Sequence, residues 1–381
     1  MSQITFDTPV VKIIKKLINS NEGKINFSDF MSTCMTNENF GYYSTKDLSW
    51  NNKGDYQTSP EVHPIFGYLW AKQVNECWQK MNKPKKIQIV EIGAGSAIFM
   101  ASICTWLKNQ HPDLFEVAEI TLLDVSKKRL DEQKKMLDLY DINANFTLLN
   151  EFLNKNTKID AIVISNEFFD CLPFHLIKKH KNSINEIFVS ISENNELTFK
   201  EEILSDMKII NFIDKMEMPL FENCIIEVAP KTYETAQKIA ELIDSGYIIT
   251  IDYGDLADNL FQKWKTEGTF KAITNHMLTS PLDEPGNVDI TADVNFTLLK
   301  KGFEEKKFQV NPLTPQWQSL VNLGIFELIK EESKINFNNS ARFFKTNHVI
   351  AKLLEPEQLG KIKVQIAGKN VPIDELLYMK D

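Results

Sequence analysis

Carboxylates and glycines recur in this sequence at the ends of apolar runs, where a fold would present them to a ligand. The stretch Val90-Glu91-Ile92-Gly93-Ala94-Gly95-Ser96-Ala97 closes one apolar run and opens a helical pattern. Gly93 and Gly95 remove side chains from a turn that could lie close against a bound molecule. A dinucleotide fingerprint needs Gly or Ala at its third position, and the branched Ile98 standing there fits that pattern poorly. The turn reads either as a contact for a nucleoside without pyrophosphate or as a structural glycine turn. Asp124 ends the next run, where an acid can accept both hydroxyls of a ribose or simply favour the N-terminus of the following helix. Asn150-Glu151 after a third run could bracket a base edge or form a solvated turn. Ser165-Asn166-Glu167-Phe168-Phe169-Asp170 places an amide and two carboxylates after a fourth run, to line a pocket or to cap the next helix. Four such places at successive run ends weigh more than any one of them.

The runs themselves predict the elements that carry these residues. Short apolar strands are expected at 87–92, 119–124, 146–149 and 159–165, with helices over 97–108 and 127–140, the second capped by Ser126. That alternation predicts a parallel, doubly wound α/β sheet whose strands are covered on both faces. Upstream, residues 8–20 pattern as an amphipathic helix, a shorter helix follows Ser28, residues 37–61 are loop-rich with five aromatics, and 62–81 returns to helix. Residues 175–224 read as an insertion holding a hairpin that turns at Asn194-Asn195. The core then resumes at 225–228, followed by a helix from Pro230 to Ile243 with Gly246 as its exit and a strand at 247–253. A second irregular stretch covers 254–297. The tail offers strands at 307–310 and 348–353 and a helix around 316–331. The expected organisation is a helical and loop cap over 1–83, core over 84–174, insertion over 175–224, core over 225–253, a substrate or lid insertion over 254–297, and a final core part over 298–381.

The bulk numbers restrict the partners. With 381 residues the chain can bury a sizeable core, and 43% hydrophobic with 25% charged residues is ordinary globular composition. A net charge of −9 argues against a sequence-blind grip on nucleic acid. Five scattered cysteines without a C-x-x-C pair, and six histidines without H-x-x-x-H, predict neither a disulfide framework nor a metal centre. No apolar run reaches the length of a membrane span. Polar residues interrupt the N-terminus, and Asp7 and Glu22 with no nearby Arg speak against a transit peptide, so a cytoplasmic location is expected.

Longer motifs now stand out. Phe40-Gly41-Tyr42-Tyr43, Gly54-Asp55-Tyr56-Gln57-Thr58-Ser59-Pro60-Glu61, Glu91-x-Gly93-x-Gly95 and Asn166-Glu167-Phe168-Phe169-Asp170-x-Leu172-Pro173-x-His175 occur in that order. Glu227-Val228-x-Pro230, Ile251-Asp252-Tyr253-Gly254, Gly268-Thr269 and Asp283-x-Pro285-Gly286-x-x-Asp289-Ile290-Thr291-Ala292-Asp293-Val294-Asn295-Phe296 follow. Almost end to end, the chain resembles the MidA family, the methyltransferases that include the mitochondrial complex I assembly factor. It departs from that pattern at Ala97 for a glycine, Asp124 for a glutamate and Asn295 for an aspartate. The resemblance implies a Rossmann-like class I methyltransferase sheet with a helical N-terminal cap and an inserted substrate-binding lobe, using S-adenosyl-L-methionine. It implies that Glu91, Gly93, Ala94, Gly95, Asp124, Val125, Asn150, Glu151 and Asn166 bind the cofactor, with Tyr43, Gly54 and Thr58. Methylation of an arginine on a protein, a respiratory complex I subunit in characterised relatives, is implied likewise.

Carboxylates suit such an acceptor, because a planar fork of acceptors orients one guanidinium nitrogen and draws charge away from it. Glu167, Asp170 and Asp55 are the catalytic candidates, with Asp252 and Asp289 behind them. Tyr42, Tyr43 and Tyr56 would close over the cofactor or pack their loop, and His175 and His276 would accept a proton or serve as bonded structural histidines. A small-molecule O- or N-methyltransferase and a non-catalytic assembly factor keeping the fold are the alternatives. The oligomeric state stays open, a dimer included.

Overall fold

The computed structural model describes residues 8–45, 58–155, 157–274, 277–335 and 350–380. Its strands run in chain order β1 (Lys24–Asn26), β2 (Ile87–Ile92), β3 (Ala118–Asp124), β4 (Asn145–Leu148), β5 (Ile159–Asn166), β6 (His175–His180), β7 (Ser183–Ile191), β8 (Leu197–Ile203) and β9 (Ile225–Val228). They continue as β10 (Ile243–Asp252), β11 (Gly254–Asp255), β12 (Lys271–Thr274), β13 (Met277–Leu278), β14 (Asp289–Thr291), β15 (Val294–Asn295), β16 (Gln309–Val310), β17 (Thr314–Pro315) and β18 (Lys363–Lys369).

An eight-stranded sheet in the order β16-β18-β10-β5-β2-β3-β4, with β17 also on β18, lies at the centre. The strands β10, β5, β2, β3 and β4 are parallel to one another, and β18 pairs antiparallel with β10. Side chains alternate between its faces, as a pleated strand requires. Ile87 and Ile89 pack with the helices Ile65–Lys80 and Ile98–Gln110, while Val90 and Ile92 pack with Pro230–Leu242 and Phe296–Glu304. Each such side chain, fully buried, stabilises by about 1.5–3 kcal/mol. Covering both faces explains why the strands read as unbroken apolar runs. Strand order reverses between β2 and β5, which puts the binding crevice of this α/β architecture at their carboxyl ends.

A second, antiparallel sheet has the order β1-β7-β6-β9, with β8 on β7. Its hairpin turns as the sequence predicts: Asn195 takes φ 62, and Ser192 N–H donates to the Glu196 carbonyl at 2.8 Å. The N-terminal helices Pro9–Ser20 and Phe27–Thr36 pack against this sheet, with Phe27 stacked among Phe30, Phe174 and Phe270 at 5.4–5.6 Å. The small sheet β13-β12-β14 completes this lobe, while β11-β15 pairs beside the core, where Val294 packs with Val90 and Ile92. No helix among the described residues is long and apolar enough to cross a membrane.

Several expectations need correction. Residues 225–228 do not rejoin the core: β9 pairs antiparallel with β6 in the second sheet. Nor is 1–83 one cap, since β1 joins the second sheet while Ile65–Lys80 covers the core sheet. Gly246 is no helix exit. It lies inside β10 at φ 144, where a Cβ would stand 1.9 Å from the Ala161 carbonyl oxygen, so glycine permits a close strand approach beside a register shift. The helix expected around 316–331 breaks at Gly324, φ 88, into Gln316–Asn322 and Ile325–Ile335. Of the strand expected at 348–353, the described residues 350–353 are helical, and β18, which the sequence pattern did not reveal, takes the sheet position instead. A short apolar run does not distinguish helix from strand.

Candidate functional site

At the carboxyl ends of β2, β3 and β5 the chain encloses a cavity of about 710 Å³, roofed by the second lobe. The glycine turn forms its floor. Gly93 and Gly95 adopt φ 70 and 49, and Ala97, where the resemblance expects glycine, also takes a left-handed φ of 62 at the start of Ile98–Gln110. A Cβ on Gly93 would come within 3.0 Å of Phe168, whereas beside Gly95 there is open space. Glu91, at the end of β2, is buried, and burial first, then Asp124, pushes its carboxyl up to about 8. Asp124 is fixed by donors from Ser126 N–H at 3.1 Å and Gln133 Nε2 at 2.8 Å. Gln133 Nε2 also donates to the Gly95 carbonyl at 3.2 Å, tying the turn to the end of β3. Val125, 41% exposed, and Leu149 add an apolar wall.

The unsatisfied groups around this floor are acceptors. Glu91 Oε2 and Asn166 Oδ1 are buried without a hydrogen-bond partner among the described residues. Buried acceptors left open cost about 1–3 kcal/mol each, so a fitting ligand brings donors. The ammonium and ribose hydroxyls of an adenosyl amino acid are such donors, and its base suits the Val125–Leu149 wall. The residues present therefore fit that group.

Beyond the floor stands an acidic wall. Glu167 follows β5 in the left-handed conformation, φ 50, which a non-glycine residue adopts at a cost. Its N–H donates to the Ile251 carbonyl at 2.9 Å, and its Oε1 accepts from Asn166 Nδ2 at 3.0 Å and from Ser59 N–H at 3.4 Å. Burial, then neighbouring Asp252, pushes the Glu167 carboxyl up to about 8. Asp170 is pushed well above the carboxylate range by burial, then by Glu167, Asp289 and Asp293. Asp289 and Asp293 enter this wall from β14 and the turn after it. The Tyr43 hydroxyl, beside Cys171, is raised by burial as well.

Of the residues singled out from sequence, Glu91, Gly93, Ala94, Gly95, Asp124, Val125, Asn166, Glu167, Asp170, Asp289, Tyr42, Tyr43 and Thr58 line the cavity. Gly54, Asp55, Tyr56 and His276 lie outside the described residues. Asn150 and Glu151 do not line it: the chain enters the short helix Leu149–Leu153 there, and both point to solvent while Leu149 faces the cavity. Asp252 is fully buried behind the wall, where Oδ2 accepts from Phe168 N–H and Phe169 N–H at 3.1 and 2.8 Å. His175 pairs with Glu186 at 2.7 Å in the second sheet, a structural contact. The sequence reading overlooked Gln133 and Arg129, both buried on the helix Lys127–Leu139; Arg129 lines the cavity and its Nε donates to the Tyr43 carbonyl at 3.0 Å. Their signal was present as two polar residues four apart on the face that also carries Leu130 and Leu137. Asn295, a departure from the family pattern, caps the helix Phe296–Glu304 through Thr297 N–H at 3.0 Å, a role asparagine fills as well as aspartate.

Comparison with known proteins gives this geometry its relatives. The protein arginine methyltransferase NDUFAF7, mitochondrial, of Xenopus laevis is 28% identical over 365 residues, covering 89% of this chain and 79% of its own. The Homo sapiens protein of the same name is 28% identical, covering 84% and 74%. A crystal structure of a superfamily protein from Burkholderia thailandensis bound to S-adenosyl-homocysteine superimposes with a TM-score of 0.86 at 21% identity, over 97% of this chain and 94% of that one; it shares the fold. Those curated relatives are named as mitochondrial, which overturns the cytoplasmic location expected from the N-terminal residues. A family model described as S-adenosyl-L-methionine-dependent methyltransferase matches residues 69–314, well over half of the sequence. The chain belongs to that family of S-adenosyl-L-methionine-dependent methyltransferases.

Proposed function

We propose that this methyltransferase modifies an arginine side chain of a protein, with Glu167 and Asp170 gripping the guanidinium. The observation that carries the reading is the buried acidic wall facing the glycine turn: Glu167, Asp170, Asp289 and Asp293 converge on one cavity, and burial together with repulsion from neighbouring carboxylates raises the carboxyls of Glu167 and Asp170. An always-charged, planar guest relieves that repulsion, and guanidinium is the cation that cannot evade it by losing its own proton. The names of the curated relatives point the same way.

In this reading Glu91, Asn166, Asp124, Val125 and the Gly93–Gly95 turn hold S-adenosyl-L-methionine, with Tyr43 and Thr58 beside it. The bound cofactor supplies an activated sulfonium methyl. Glu167 and Asp170 hold one guanidinium nitrogen in line and keep positive charge on the others, and such positioning contributes several kcal/mol, roughly 7 or more in the best cases. Entry of the guest drives the proton off Glu167, and the resulting carboxylate accepts hydrogen bonds from the guanidinium. The proton released after transfer has the wall carboxylates as acceptors. Incubation with labelled cofactor and a lysate of source cells, followed by mass spectrometry, should place the label on protein arginine. Label on a metabolite, with no arginine gaining mass, would replace this reading with a small-molecule acceptor.

A further inference from the structure

A second cavity lies at the opposite, amino-terminal end of the core strands, and methyl transfer makes no use of it. It encloses about 800 Å³. Lys155, Lys158, Lys238, Lys306, Lys307 and Lys369 line it against only three carboxylates, Glu241, Asp244 and Glu305, in a chain whose net charge is −9. Two of the carboxylates are engaged: Glu241 pairs with Lys306 at 2.5 Å, and Glu305 bonds Tyr233 and Lys215. No ion pair involves Lys155, Lys158, Lys238, Lys307 or Lys369 among the described residues.

Complementing helix dipoles accounts for part of this cluster. Lys155 and Lys306 follow the ends of Leu149–Leu153 and Phe296–Glu304, where a cation is favoured by about 0.3–1 kcal/mol. Lys158 and Lys369 follow no helix; they flank the start of β5 and the end of β18. Lys369 Nζ is anchored to the Ile243 carbonyl at 2.7 Å, and burial, then Lys158 and Lys307, hold its ammonium below the usual range against the opposing pull of Asp244. Lys307 occupies the left-handed position that ends the helix, φ 68, and Asn370 across the groove has φ 55. Glycine would take the Lys307 position more cheaply. Like-charge repulsion at Lys369 and a left-handed backbone at Lys307 are thus both borne within one groove.

We infer that this lysine-lined groove is an anion site for a condensed phosphate chain, as in tripolyphosphate or the triphosphate of a nucleotide. Ammonium groups act on phosphate as compact point charges, and no arginine fork offers the bidentate geometry that carboxylates favour. Leu153 and Leu242 are the apolar lining, and no aromatic side chain is there to stack a base, so the phosphates and not a nucleobase are recognised. A concave groove suits a small polyanion better than a flat anionic bilayer.

The test is isothermal titration of the full-length chain with sodium tripolyphosphate at low salt. Saturable binding at one site per chain is expected, about tenfold weaker in Lys158→Glu and in Lys307→Glu. Lys158→Ala and Lys307→Ala, which keep the groove but delete a charge, should weaken it less and in the same direction. Methyl transfer should stay at the wild-type rate in all four. Adenosine triphosphate binding as tightly as tripolyphosphate, with adenosine silent, would confirm recognition of the phosphate chain. Absence of saturable heat, affinity unmoved by the lysine variants, or binding only to anionic vesicles would overturn the assignment.

Discussion

Two buried carboxylates shape the cavity above the glycine turn from opposite sides, one in each sheet. At the end of β10, Asp252 accepts the N–H groups of Phe168 and Phe169, and so holds the turn in which Glu167 is left-handed. At the end of β9, Glu227 Oε1 accepts the N–H groups of Thr269 and Phe270 at 2.7 and 2.9 Å. Just before them Gly268 has φ 75, and a Cβ on it would stand 2.4 Å from that oxygen. The device is the same: a distant carboxylate clamps two successive amides and fixes a left-handed residue. The difference lies in what is aimed. The core clamp positions a carboxylate, Glu167, at the wall; the lobe clamp positions Thr269 and the start of β12, which carry Lys271 and Ile273 to the opposite side. The cavity is therefore built by long-range contacts from both sheets, and under the proposed function the core side would serve chemistry and the lobe side acceptor fit.

The largest disturbance to that division is at the floor both sides share. Gly93→Val would force a branched side chain into φ 70 and against Phe168. Cofactor affinity should fall by about a hundredfold or more while circular dichroism stays folded. Calorimetry returning near-wild-type affinity would remove the cofactor from the glycine turn. Next is Glu167→Gln, which keeps shape and deletes the charge. Turnover should drop about a hundredfold with the cofactor Kd nearly constant; losses of equal size in both would place Glu167 against the cofactor instead.

The comparison itself is tested by treating the two clamps alike. Asp252→Asn puts an NH2 group where one oxygen stood, so either Oδ2, which serves Phe168 N–H and Phe169 N–H, or Oδ1, which serves Tyr253 N–H, is lost as an acceptor, and the carboxylate that helps raise Glu167 is gone. Turnover should fall about tenfold, and the pH at which activity rises should move downward. Glu227→Gln should raise the acceptor KM several-fold with kcat and its pH profile unmoved. If both variants lower kcat equally, the two sides do not divide chemistry from fit.

How far the sequence foretold these regions follows the same boundary. Core strands β2, β3, β5 and β10 each pair with parallel partners reached through a helix, so their apolar runs and end residues are readable in series. The second sheet joins β1 from residues 24–26 to β7, and β6 to β9 from 225–228. Nothing local in Ile225–Val228 says which sheet will take it; as an apolar run it looks like core. Asn150 and Glu151 were misjudged for another reason. Polarity marked them, but the onset of a helix at Leu149 decided which side chain faces inward. Gln133 illustrates the converse, a buried polar residue that helix geometry, and no strand end of its own, carries to its partner Asp124.

The smallest predicted effect concerns pH and the protein without its acceptor. Glu91 and Glu167 both have carboxyls raised from an ordinary 4.5 to about 8, chiefly by burial. Between those values the unfolded chain has released protons that the folded chain keeps, so folding stability falls as pH rises across that window and levels off above it. The melting temperature should decline by a few degrees from pH 5 to pH 8. A guanidinium guest acts in the opposite sense, because it favours the ionised wall: acceptor affinity should increase as pH rises through about 8. Glu167→Gln removes one of these raised carboxyls, so its melting profile should be flatter than wild type and its acceptor affinity less sensitive to pH. A variant profile parallel to wild type would show that Glu167 is already ionised in the free enzyme, and that the acidic wall needs no cation to relieve it.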